Sequence, residues 1–231
     1  MNDRIPGEAA DGVAAEVAAD IAAQSAAPRS LDEALASMPE RSLRRLRLAR
    51  LAGVHALAWL LALGVFAAAE SWYLLGGPLM ATFLCVVSGA LAGLVTGNLV
   101  HEWFHFLGAR LSGGAYDIPH KLGLFVYDWK FERNDTGQFF TMSLAGTVGG
   151  LAALGLLWTT VPPQTLGRAA VFAGALGGFV FAAIIEWPVL RRVRFGGDPL
   201  TELAKIDQDV LARAFAGGAL VGLLALWQLA P

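Results

Sequence analysis

Two histidines and a glutamate stand together in the order H-E-x-x-H, at His101, Glu102 and His105. On a helix, His101 and His105 are four residues apart and lie on one face, so both imidazoles can bind one metal ion. Glu102 then lies close enough to take a proton from a water molecule at that ion. The motif therefore predicts a zinc hydrolase with one zinc ion and Glu102 as its base. The alternative is that these groups only hydrogen-bond within a helix bundle.

A catalytic zinc ion usually has three protein ligands, so one remains to be found. Asp198 in FGGDP is the preferred candidate, because it follows a later apolar segment that returns to the side of the two histidines. Gly196 and Gly197 allow a close backbone approach there. The alternative role for Asp198 is a helix N-cap before Pro199. Glu186 in IIEWP is the alternative ligand, with a role behind the ligands or at the membrane interface as its other interpretation.

The elements that carry these residues are apolar. Of the 231 residues, 56% are hydrophobic and 16% are charged, compared with about a quarter charged in soluble domains. A segment of about 20 apolar residues can span a bilayer as a helix. Such segments are 51–74, 79–110, 137–161, 168–190 and 210–230. The sequence therefore predicts an all-α polytopic membrane protein with about five transmembrane helices, in which His55 of the first helix hydrogen-bonds a neighbouring helix.

The segment between the second and third helices is more polar. Within it, Phe125, Tyr127, Trp129 and Phe131 alternate with other residues at a period of two, which is typical of a strand. We expect a short β-hairpin or strand at the membrane interface. An aromatic belt at that interface would have a similar composition.

Arginine placement predicts the topology. Five arginines between residues 41 and 50 precede the first span, and most other basic residues fall in loops on the same side. By the positive-inside rule the N-terminus is cytoplasmic, and the H-E-x-x-H motif lies near the cytoplasmic face. We expect an integral protein of a cell membrane, with the lipid bilayer as a partner.

Charge and cysteine content exclude other classes. A net charge of -2 gives no basic surface for nucleic acid, and the single Cys85, expected only to pack, excludes a thiolate metal cluster. The Ala-rich acidic tail, residues 1–39, is predicted to be disordered and has no signal-peptide pattern. The other predicted regions are a basic anchor with the first helix (40–78), a metalloprotease-like core (79–210) and a C-terminal transmembrane helix (211–231).

The motif residues together resemble the site-2 protease family of intramembrane zinc metalloproteases, in particular its compact bacterial members. The resemblance covers about residues 79–210. Its H-E-x-x-H match continues through Ala109, Arg110 and Gly113, and a small-residue segment follows in SLAGTVGG, residues 143–150. Asp198 looks like the family's aspartate ligand, although Pro199 follows it where the family has glycine.

The resemblance implies an endopeptidase in the inner membrane of a bacterium that cleaves transmembrane or juxtamembrane segments of membrane proteins or peptides near the cytoplasmic face. One zinc ion would be held by His101, His105 and Asp198. An extended substrate could pair with the aromatic strand around 124–132. The alternatives are a catalytically silent metal-binding membrane protein and a metal transporter using the same ligands. Other zinc proteases of membranes place a glutamate ligand on a following helix, which suits Glu186 better.

Overall fold

The computed structural model describes residues 30, 35 and 38–231. Most of the predicted disordered tail, residues 1–29, 31–34 and 36–37, lies outside the described residues. The chain divides into two units, Met1–Leu46 and Arg47–Pro231. The candidate site and the helix packing that surrounds it both belong to the second unit.

Six α-helices and two short strands make up the described part of the chain, together with a single 3-10 turn at Phe131–Arg133. In chain order the elements are α1 (Glu40–Leu74), α2 (Leu79–Leu111), β1 (Tyr116–Asp117), β2 (Asp128–Trp129), α3 (Thr136–Thr160), α4 (Leu166–Arg194), α5 (Pro199–Leu203) and α6 (Gln208–Leu229). All the helices but α5 are long and apolar enough to cross a membrane. The predicted all-α membrane fold is confirmed, and α1 begins earlier than predicted because the arginine-rich segment continues the same helix.

Local signals account for the helix ends. Asp135 starts α3 with a capping box, in which its carboxylate accepts from the Gln138 backbone and the Gln138 side chain accepts from the Asp135 backbone. Thr165 caps α4. After α2 the chain turns at Gly113, whose φ of 67° is in the left-handed region that favours glycine.

Helix α4 lies at the centre of the bundle and packs against α2, α3 and α6. Glycine makes these contacts close. An added Cβ on Gly93 of α2 would overlap the Val171 carbonyl of α4, and one on Gly174 would overlap the Ala90 carbonyl. Small residues let membrane helices approach to backbone contact, so α2 is held firmly against α4. That packing fixes the relative position of the two helices on which the metal-ligand candidates lie.

The strands form a two-residue antiparallel ribbon in which Tyr116 pairs with Trp129 and Asp117 with Asp128. The predicted strand between the second and third spanning helices is therefore present but short.

The 115–135 segment that contains the ribbon is attached to α1 and α2 through His55. Trp103 Nε1 donates to His55 Nδ1 at 3.1 Å, and His55 Nε2 donates to the Gly123 carbonyl at 2.8 Å. One imidazole thus joins both helices to the polar segment.

Candidate metal centre

The two motif histidines project from α2 toward α3 and α4. Their exposed fractions are only 7% for His101 and 9% for His105. His101 Nδ1 lies 2.9 Å from the Gly146 carbonyl oxygen, and His105 Nδ1 lies 2.9 Å from that of Met142. A carbonyl oxygen only accepts, so both Nδ1 atoms carry the proton and donate it. Each Nε2 therefore presents a lone pair to the other side of its ring.

Glu186 of α4 completes the cluster. Its Oε1 lies 2.9 Å from His101 Nε2 and 3.2 Å from His105 Nε2, and the two Nε2 atoms are 3.0 Å apart. Three acceptor atoms this close repel one another unless a proton or a cation lies among them. The hydrogen bonds to Gly146 and Met142 fix the imidazole orientation, as such second contacts do for metal-ligating histidines. The donor set therefore fits one small cation.

The separations also fit zinc. Two atoms bound tetrahedrally to one zinc at about 2.0–2.1 Å lie roughly 3.3–3.4 Å apart, close to those between the Nε2 and Oε1 atoms. These three residues form the potential metal-binding group found within the described part of the chain.

Asp198, the third ligand preferred from the sequence, is not part of this cluster. It is the N-cap of α5, and its carboxylate accepts from the Thr201 backbone N–H and from the Thr201 hydroxyl, both at 2.8 Å. These bonds lower the pKa of Asp198. The acid beside the histidines is Glu186, the alternative ligand, while Asp198 takes its alternative role as a cap.

Glu102 is half-buried and makes no hydrogen bond or ion pair with any residue that the structure describes. It lines a cavity of about 430 Å³ together with His105 and Glu186. The cavity is open to both the Glu102 carboxylate and the cluster. Its walls are otherwise mainly apolar, with five aromatic side chains at Phe125, Tyr127, Trp129, Phe131 and Phe139.

The aromatic alternation of the sequence has a structural meaning beyond the short ribbon. Phe125, Tyr127, Trp129 and Phe131 all line this cavity, as does Asp128 between them, whereas Val126 is fully buried and does not line it. The alternation is evident from the sequence, but the cavity that it lines is not.

Small residues of α3 make room for the imidazoles. An added Cβ on Gly146 would overlap the His105 ring, and one on Gly149 would meet Phe104. On Gly150 it would meet Phe179 of α4 and would lie 3.8 Å from His101 Nδ1. The small-residue segment predicted to pack beside the site does so, and Gly146 is the position on which the His105 ring depends most directly.

We expect Gly146→Ala to displace the His105 ring and to lower bound metal per chain, with overpacking costing about 1–3 kcal/mol of stability. Gly155→Ala is the matched control, since nothing lies within 4 Å of its added Cβ on the same helix. That control should retain metal and be neutral or slightly stabilising, by at most about 1 kcal/mol. Metal analysis and thermal unfolding in detergent measure both effects. Equal metal content in the two variants would contradict the role of Gly146.

The remaining histidine and cysteine predictions concern residues outside the cluster. His55 hydrogen-bonds a neighbouring helix through Trp103, as predicted, and Cys85 is buried in the apolar core. The anchoring carbonyls of Met142 and Gly146 belong to the backbone, so no side-chain type marks them in the sequence.

In comparisons with known proteins, no protein-family model, curated protein or solved structure matches the chain.

Proposed function

We propose that the protein is a zinc-dependent endopeptidase of the membrane, which cleaves transmembrane or juxtamembrane segments of membrane proteins or peptides. The observation that supports this most is the convergence of His101, His105 and Glu186 into one cluster, of which His105 and Glu186 line the same cavity as the unpaired Glu102 carboxylate. Two imidazoles, one carboxylate and a nearby free base are the groups that metal-assisted hydrolysis uses.

In this proposal His101, His105 and Glu186 would hold one zinc ion. When bound, it would supply Lewis acidity to polarise the scissile carbonyl and to lower the pKa of water at the site. Glu102 takes one proton from the attacking water as the water oxygen bonds to the carbonyl carbon. It then gives that proton to the amide nitrogen as the C–N bond breaks, leaving an amine and a carboxylic acid.

The cavity suits an apolar segment in extended form. A helix keeps its carbonyls in internal hydrogen bonds, so a substrate must unwind locally before a carbonyl can reach the site. The aromatic wall at Phe125, Trp129 and Phe131 can contact large apolar side chains of the unwound segment, and the outer edge of the ribbon can pair with its backbone. The arginine-rich start of α1 favours a site near the cytoplasmic face.

The test uses the full chain in liposomes with a pool of peptides, each of about 20 apolar residues with lysines at both ends. We expect mass spectrometry to detect fragments that disappear with 1,10-phenanthroline and return when zinc is restored. Folded, zinc-loaded protein that cleaves none of the pool would contradict the proposal. Zinc entering sealed vesicles in the same preparation would support the transporter alternative instead.

A further inference from the structure

Tyr127 is a polar group in the cavity with no role in the proton transfers assigned to Glu102. It immediately precedes β2 and lines the same cavity as Glu102, His105 and Glu186. Its ring is held by aromatic neighbours on several sides. The ring centroids of Tyr116 and Trp129 lie 6.0 and 6.3 Å away in edge-to-face contact, and that of Phe106 lies 6.1 Å away. This packing fixes the direction of the phenol.

The Tyr127 hydroxyl has no hydrogen-bond partner among the residues described by the structure. In that same part of the chain, no fully buried side-chain oxygen or nitrogen lacks a partner. The hydroxyl is therefore at least partly accessible, and Tyr127 is one of the residues that line the cavity. An O–H group without a protein partner, on a residue that lines a cavity, is available to a ligand there.

Other groups on the cavity wall do not supply an equivalent donor. Glu102, Glu186 and Asp128 are acceptors when ionised. The Nδ1–H of His105 is already bonded to Met142. Ser143 is directed toward the Met142 sulfur at 3.9 Å.

Trp129 also carries a side-chain N–H donor. Its six-membered ring packs against Gly114, where an added Cβ would overlap the ring. A phenol loses its proton only at about pH 10, so the Tyr127 hydroxyl keeps its proton and remains a donor at neutral pH.

We propose that Tyr127 is a catalytic residue whose hydroxyl donates a hydrogen bond to the scissile carbonyl oxygen as negative charge develops there. This inference rests on the proposed peptidase function. When water adds to the carbonyl carbon, the C=O electron pair moves to oxygen, and a preorganised donor stabilises that charge more than the neutral carbonyl of the bound substrate. The phenol keeps its proton throughout and exchanges none with substrate.

Tyr127→Phe tests the inference, because it removes the hydroxyl and keeps the packed ring. We expect kcat to fall about 10- to 100-fold, the effect of losing one hydrogen bond to a charged group, with KM little changed. Metal content and thermal stability should match wild type. Tyr116→Phe is the matched control, because Tyr116 belongs to the same aromatic cluster but does not line the cavity. It should retain wild-type kcat.

A binding measurement gives a second readout. A phosphinic peptide, whose tetrahedral anionic group resembles the addition intermediate, should bind Tyr127→Phe more weakly by a factor similar to the loss of kcat. The corresponding substrate peptide should bind with the same affinity to Glu102→Gln and to the double variant that also carries Tyr127→Phe, since neither protein cleaves it during the measurement. Equal phosphinic-peptide affinity, unchanged kcat, or an equal loss in Tyr116→Phe would overturn the inference.

Failure of the Tyr127 role and failure of the peptidase function give different results. If Tyr127→Phe cleaves at the wild-type rate while Glu102→Gln does not cleave, the role of Tyr127 is wrong and the peptidase function stands. If zinc-loaded wild type cleaves no more than Glu102→Gln, the proposed function is wrong and the inference falls with it.

Discussion

Glu102→Gln should lower the peptide cleavage rate by about 10²–10⁴-fold, the usual contribution of a general base. Glutamine has nearly the shape of glutamate but cannot accept the water proton. Because Glu102 makes no hydrogen bond or ion pair with the described residues, its replacement should leave the His101, His105 and Glu186 cluster in place. Bound metal should therefore stay at about one ion per chain, measured on the same protein samples as the cleavage rate.

Glu132→Gln is the matched control for this variant. It removes one exposed carboxylate from the 3-10 turn beside the cavity without changing a residue that lines it. Activity retained in Glu132→Gln and lost in Glu102→Gln would assign the effect to the base and not to net charge. Wild-type cleavage by Glu102→Gln would contradict the base assignment. An unchanged cellular phenotype of this variant would favour the catalytically silent alternative.

The parts of the fold predictable from sequence depend on local physical signals. Long segments without charges give the spanning helices, because the bilayer requires internally bonded backbone. Caps such as Asp135 and Thr165 then set where helices begin. The spacing of His101 and His105 is also local, since a single helix turn brings both imidazoles to one face. These features depend only on neighbouring residues.

The third acid depends on packing between distant segments. Glu186 is 81 residues from His105 in the chain, and the close contact of α2 with α4 through Gly93 and Gly174 brings them together. No local pattern encodes that distance. Around Asp198, the preceding glycines and following proline fit a ligand turn, the preferred interpretation, but they also fit a helix cap. Both acids are therefore candidates when only the sequence is considered.

The roles of the residues that line the cavity also depend on segments far apart in the sequence. The alternation from Phe125 to Phe131 predicts that these side chains share a face, but only their placement opposite α2 and α4 shows what that face lines. The Tyr127 hydroxyl gains its significance from Glu102 and Glu186, which belong to different helices. A residue whose role depends on three separate segments has no sequence signature when only one chain is considered.

Replacing Glu186 and Asp198 one at a time should show directly which of the two acids is the third metal ligand. We expect Glu186→Gln to lower bound zinc from about one ion per chain to near zero, because an amide does not provide the anionic oxygen that zinc binds. Asp198→Asn should keep its zinc. Asparagine is as good an N-cap as aspartate, so this control removes a carboxylate while preserving the start of α5. Elemental analysis after identical dialysis measures both variants and also identifies the metal.

The reverse result, zinc lost from Asp198→Asn and retained by Glu186→Gln, would make Asp198 the ligand and would require α5 to unfold from its cap. Zinc retained by both would mean that the two histidines bind it with neither acid. Because this measurement counts metal and does not depend on cleavage, it tests the centre separately from the proposed peptidase. Loss of zinc from Glu186→Gln alone would leave His101, His105 and Glu186 as the ligands, with Glu102 free to act as a base.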